Sequence, residues 1–379
     1  MGDDELDRGL EDVLVAETRL SEVDGEAGEL TIAGFPLEEL APNATFEETV
    51  FLLREGRLPT AAELAAFRTD LATRRELPAP TRLTLRVAAA ADVPAMDALR
   101  IGAASANLAR EEQDDDPEVD SLLAVAQFPT VVAAYHRLRR GEKPVDPDPS
   151  LSHAANYLYM LTGEEPSDAQ VRGLETYLNT VVDHGLNAST FTARTITSTE
   201  SDVISAVTGA VGALKGPLHG GAPGPVLEML REIEETGDPE SYLTAKLDAG
   251  ERLMGFGHRV YRVRDPRAAV LSNAAERFYE ADGESAFFEL ATAVEETAVE
   301  LLSERHPDRP LETNVEFYTA LLLHGIGIPD DLFSATFAVS RVAGWTAHCL
   351  EQRADNRLIR PRSRYVGERE REWVPVESR

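Results

Sequence analysis

A mostly α-helical chain with a small N-terminal β-hairpin is the fold class that this sequence predicts, on three observations. Helix-capping pairs recur along the chain, apolar residues return at helical spacing, and alternation is confined mainly to the N-terminal stretch. At 379 residues the chain also exceeds the size that one core usually serves, so two domains or one large core with an insert are expected.

The alternating stretch comes first, in "DVLVAETRLSEVDGEAGELTIAGF". Its "DGEAGE" reads as a turn between two short strands, which predicts a small N-terminal β-hairpin. In "TFEETVFLLREGRLPT", Thr45 and Glu48 form a capping box, with Gly56 and Pro59 as stop signals. Each partner of such a box satisfies one backbone N–H that the helix leaves unpaired. Thr60 with Glu63 and Ser167 with Gln170 repeat the pattern. "REEQDDDPEVD" and "GEKPVDPDPS" have the composition of solvated linkers. In "SAFFELATAVEETAVELLSERHP", Phe287, Leu290, Ala291, Val294, Ala298 and Leu301 share one helical face. No repeat of fixed period is present.

Composition excludes several function classes. The 67 acidic against 37 basic residues give a formal net charge of -30, which disfavours nucleic acid and anionic lipid as partners. No uninterrupted apolar run is long enough to span a bilayer. "MGDDELDRGLEDV" lacks the basic start and apolar centre of a signal peptide, so a cytoplasmic location is expected. Cys349 alone supports neither an internal disulfide framework nor a cysteine-built zinc site, and no metal is expected.

Lys143, Lys215 and Lys246 are the only lysines, and lysine scarcity beside surplus carboxylates points to a halophilic protein from a very salty cytoplasm. Carboxylate repulsion reaches about 30 Å at 0.01 M salt and only about 3 Å at 1 M. Activity and helix content should therefore fall together on dialysis to low salt. A thermal melt that is the same in low and molar KCl overturns this expectation.

Four short stretches hold the residues suited to chemistry. "MGFGHRVYRVRDPRA" sets one histidine, four arginines and two close glycines into an acidic chain. Arginine forks bind carboxylate and phosphate bidentately, and a histidine beside them can handle a proton near neutral pH. "DHGLNASTFTAR" holds His184, "KGPLHGGAPGP" holds His219, and "LETNVEFYTALLLHG" holds Glu316. Taken singly each has a bland reading: His184 as complement to a helix C-terminus, and His219 as part of a glycine-rich turn.

Together these stretches resemble the citrate synthase family, in order and over nearly the whole chain. "RGLEDVLVAETRLSEVDGEAGEL", "FPTVVAAYHRLRRGEKP", "LSHAANYLYMLTGEEP", "HGLNASTFTAR", "GPLHGGA", "MGFGHRVYRVRDPRA" and "NRLIRPRSRYVG" carry the resemblance. It implies an all-α, two-domain fold: a large domain from residues 1–219 and 324–379, with a small domain over 220–323. It also implies a homodimer with a shared active site, taking oxaloacetate and acetyl-CoA or another acyl-CoA as substrates, with no cofactor. The reaction implied is condensation to citryl-CoA and hydrolysis to citrate and CoA. Use of propionyl-CoA, giving 2-methylcitrate, and a ligand-binding paralogue of low activity are the alternatives.

The same resemblance assigns roles residue by residue. His219 matches the donor to the thioester oxygen, His258 the group polarising the oxaloacetate carbonyl, and Glu316 the base. His184, Arg267 and Arg341 match oxaloacetate contacts, and Arg360 matches the arginine that crosses into the partner's site. Arg262, Gly255 and Gly257 fall on the CoA side. His136, His153, His306, His324 and His348 are read as structural. The sequence departs from the family pattern at Glu316, where Asp is usual, and at Pro223-Gly224, where Asn-Glu is usual. A smaller departure lies in "ADVPAMDALR", where a His-Pro is common before Met-Asp.

Overall fold

The computed structural model describes residues 8–10, 13–108, 116–220, 223–257, 261, 263–282, 285–307 and 311–379, with Pro223, Asp282 and Ser285 described in backbone only. The N-terminal sheet is β1 (Ser21–Asp24), β2 (Glu29–Ile32) and β3 (Phe35–Pro36). All pairings are antiparallel, with Ser21 opposite Ile32 and Ile32 opposite Phe35. The expected hairpin is present, and β3 enlarges it to three strands. Asp24 closes the turn by accepting from the backbone N–H groups of Glu26 and Ala27. Residues 13–18, at the head of the stretch read as alternating, form no strand, and Val13 to Ala16 instead edge a large cleft.

The helices begin with α1 (Leu37–Leu40), α2 (Phe46–Glu55), α3 (Ala61–Thr73), α4 (Ala79–Ala90), α5 (Ala95–Ala103), α6 (Pro117–Arg139), α7 (His153–Thr162) and α8 (Asp168–Val181). Then follow α9 (Ala188–Thr197), α10 (Val203–Leu214), α11 (Pro223–Thr236), α12 (Pro239–Asp248), α13 (Pro266–Asp282), α14 (Ser285–Arg305), α15 (Val315–Gly325) and α16 (Phe333–Ala354). The three predicted capping boxes form at the starts of α2, α3 and α8. Gly56 ends α2 in the left-handed region, as its stop signal predicts.

The core is built around α16, which is buried on most of its faces by α2, α5, α6, α8, α9 and α10. Its buried residues include Ser340, Arg341, His348 and Gln352 as well as apolar side chains, so polar groups are carried into the interior on this helix. On α14 the predicted stripe is covered, with Ala291, Val294 and Ala298 fully buried. Helices α11 to α15 pack among themselves, and α13 and α15 also pack on α8. The C-terminal end of α8 and the N-terminal ends of α9, α13 and α15 thereby border one cleft. Among the described residues no helix is long and apolar enough to cross a membrane.

Candidate active site

The cleft encloses about 1140 Å³ and is lined by His184, His219, Gly257, Arg267, Glu316 and Arg341. Residues 220–323 and the remainder of the chain both contribute to its walls, a common position for a ligand site. The structure thus joins six residues chosen from five separate stretches. Arg360 is not in this cleft; it is exposed and lines an adjoining groove with Arg19 and Arg357. Gly255 lies behind the lining, and His258 and Arg262 lie outside the described residues.

Local sequence places each group. Asn187 caps α9 by accepting from the N–H groups of Ser189 and Thr190. The Ser189 N–H also points at His219 Nε2, 3.3 Å away, and the Ser189 hydroxyl lies 2.8 Å from the same nitrogen. Trp345 Nε1 donates to that hydroxyl at 3.0 Å, leaving the serine proton for His219 Nε2 or the Asn187 side chain. A ring nitrogen that accepts a backbone N–H carries the lone pair, so Nδ1 holds the proton of the neutral imidazole. Burial, with the Arg341 charge, pushes the His219 pKa down to about 4. At neutral pH this histidine is a neutral N–H donor.

Glu316 owes its position to a short antiparallel pairing. Gly257 N donates to the Glu312 carbonyl at 2.7 Å, and Asn314 N donates to the Gly255 carbonyl at 2.9 Å. Gly255 and Gly257 have φ of 89° and 79°, and an added Cβ on either would meet Phe317 or Leu311 at 3.0 Å. These glycines serve the left-handed backbone of the pairing and leave room for the Phe317 and Leu311 side chains packed against it. Asn314 then caps α15 by accepting from Glu316 N at 3.0 Å, which sets Glu316 in the first helical turn. Burial raises the Glu316 pKa to about 6, against the pull of Arg267 and with a small push from Asp265.

The cationic side is held from behind. Asp265 accepts from Arg267 Nε at 3.0 Å and Nη2 at 2.8 Å, with both side chains buried. Its Oδ2 also accepts from Val315 N at 3.3 Å, tying Arg267 to the start of α15. Arg341 Nε donates to the Val181 carbonyl at 2.7 Å. Burial pulls Arg341 down to about 10, which still leaves it charged at neutral pH. His184 Nε2 lies 3.0 Å from the Tyr261 hydroxyl.

Sequence reasoning missed Ser189, Trp345, Asp265, Tyr261 and the cleft-lining Arg252. The sole signal available for the first was an Asn-x-Ser start to a helix, and for Asp265 its place before Pro266. Pro223, one of the departures, stands at the first position of α11, where proline is well tolerated. Among the structural histidines, none of His136, His153, His306, His324 and His348 lines the cleft.

The arrangement suits enolate chemistry on an anionic substrate. A carboxylate with a raised pKa is a competent base, and a neutral imidazole N–H can stabilise a developing oxyanion. Arg252, Arg267 and Arg341 against Glu316 make the lining cationic in a chain of net charge -30.

The model of the citrate synthase C-terminal domain matches residues 9–362. The citrate synthase of Haloferax volcanii is 47% identical, with 99% of each chain covered. A 2-methylcitrate synthase of Shewanella oneidensis is 36% identical, covering 98% of this chain and 97% of its own. The citrate synthase of Thermoplasma acidophilum, solved as a ternary complex with carboxymethyl coenzyme A and oxaloacetate, superposes with a TM-score of 0.88 at 30% identity, over 98% and 99% of the two chains. The chain belongs to the citrate synthase family.

Proposed function

We propose that the protein condenses acetyl-CoA with oxaloacetate and hydrolyses the resulting citryl-CoA to citrate and CoA. The observation that carries this reading is the meeting of Glu316, His219, Arg267 and Arg341 in one cleft. Glu316 removes a methyl proton from acetyl-CoA, and the His219 Nδ1–H donates to the thioester oxygen as negative charge gathers there. The enol carbon then attacks the oxaloacetate carbonyl, and a proton delivered to that oxygen completes the new alcohol. His258 is assigned that last donation through the family resemblance. Arg267, Arg341 and His184 orient the two carboxylates, since holding reactants in line lowers the barrier more than any single contact. Arg252 joins Arg262, Gly255 and Gly257 as a candidate for the CoA side, where phosphates need cations.

The active unit in this reading is a homodimer, with Arg360 of one copy completing the cleft of the other. Its exposed position outside the cleft of its own chain supports that arrangement. The name borne by the Shewanella oneidensis relative makes propionyl-CoA the second donor to try.

Thiol release at molar salt, followed with oxaloacetate and each acyl-CoA, tests the assignment. Faster turnover of acetyl-CoA is expected; preference for propionyl-CoA makes the protein a 2-methylcitrate synthase. Oxaloacetate binding without thiol release from either donor makes it a binding paralogue. Arg360→Ala mixed with His258→Ala should regain activity as heterodimers, and no regain argues against a shared site.

A further inference from the structure

Beneath the cleft lies a buried polar chain that the proposed reaction does not use. Asp183 immediately precedes His184, and its Oδ2 accepts from the Ser21 hydroxyl at 2.5 Å. His348 Nε2 lies 3.2 Å from the same oxygen, and His348 Nδ1 lies 3.0 Å from Arg194 Nη1. A guanidinium only donates, so Nδ1 is the acceptor and Nε2 carries the proton given to Asp183. Arg194 is itself held by Glu351 at 2.7 Å and Gln352 at 2.9 Å. The imidazole is therefore neutral and locked in one tautomer.

The Asp183 carboxylate is fully buried, and its Oδ1 makes no hydrogen bond among the described residues. A buried anion left half bonded is costly and a poor way to stabilise a fold. Its surroundings are arranged to keep it there. Gly344 on α16 leaves room, since a Cβ there would stand 2.4 Å from the Val182 carbonyl oxygen and 2.9 Å from Asp183 Oδ1. One turn earlier on α16 is Arg341, anchored on Val181 beside the same turn and near enough to act on the Asp183 charge. Ser21, which donates to Asp183, also accepts from the N–H of Gly185 at 2.9 Å. The turn carrying His184 is thus gripped on both sides.

We infer that Asp183, oriented by His348, is a positioning residue for the keto-dicarboxylate subsite: it fixes the His184 turn and balances the Arg341 charge. It governs affinity for oxaloacetate rather than proton removal by Glu316. The inference rests on the oxaloacetate reading of the cleft given above.

The test compares the full-length parent with His348→Leu, His348→Gln and Asp183→Asn at molar salt, by calorimetry with oxaloacetate, by steady-state kinetics and by thermal melts. In His348→Leu the oxaloacetate Kd and KM should rise about 10-fold or more, while kcat and the acetyl-CoA KM move less than about 3-fold. The Gln variant can keep the donor toward Asp183 and should recover most of that affinity. If the Leu variant does not fold, Asp183→Asn, which keeps shape and removes charge, should show the same selective loss. Unchanged oxaloacetate affinity in a folded variant, or equal loss for both substrates in step with a lower Tm, overturns the inference. A parent that binds no oxaloacetate overturns the functional reading first, and the inference with it.

Discussion

Glu316→Gln is expected to lower thiol release by about 100- to 10,000-fold, the range over which general bases contribute. Oxaloacetate should still bind, because the amide keeps the shape of the side chain and the arginines are untouched. Exchange of the acetyl methyl protons should be lost to the same degree. A Gln variant as active as the parent removes Glu316 from the reaction. The pH dependence has a definite sign. The base works only when ionised, and burial raises its pKa to about 6. In the free enzyme, kcat/KM for acetyl-CoA should therefore climb with pH through about 6 and level off above it. Glu316→Asp should be no better than the parent, because withdrawing the carboxylate by roughly 1 Å can cost about 100-fold. A gain on Glu316→Asp would mean that this departure from the family pattern has degraded the site.

His219→Ala is expected to cost about 100- to 1,000-fold in kcat, as removal of one oxyanion donor does elsewhere. A variant that keeps a third of the parent rate sinks the donor role. Ser189→Ala should cost less, since the Ser189 backbone N–H still points at Nε2 and still favours the Nδ1–H tautomer. With its pKa pushed down to about 4, His219 stays neutral across the working range, so the acid limb near pH 6 belongs to Glu316. The two histidines separate cleanly by kinetics: loss at His219 should fall on kcat, whereas loss at His348 should fall on oxaloacetate affinity.

Much of the fold was legible because its signals are local. A capping box is complete within four residues, so Thr45–Glu48, Thr60–Glu63 and Ser167–Gln170 announce their helices without any tertiary help. The α14 stripe was likewise visible, because its spacing alone defines which face is buried. Strands are less self-sufficient. Residues 13–18 lie in the stretch read as alternating yet form no strand, while Phe35–Pro36 pairs with β2 despite having too few residues to show a period.

By itself the sequence determined the helical class, the acidic surface and the identity of the groups that gather in the cleft, as far as motifs in order can name them. Only the tertiary structure decided their chemical state. The Ser189 N–H at the start of α9, brought against the turn that carries His219, sets which nitrogen of His219 carries the proton. Asp265 orients Arg267 and secures the start of α15, and burial moves Glu316 toward neutrality. A residue type specifies which proton a side chain can exchange; the desolvation and donors imposed by distant segments specify at what pH and in which direction it does so.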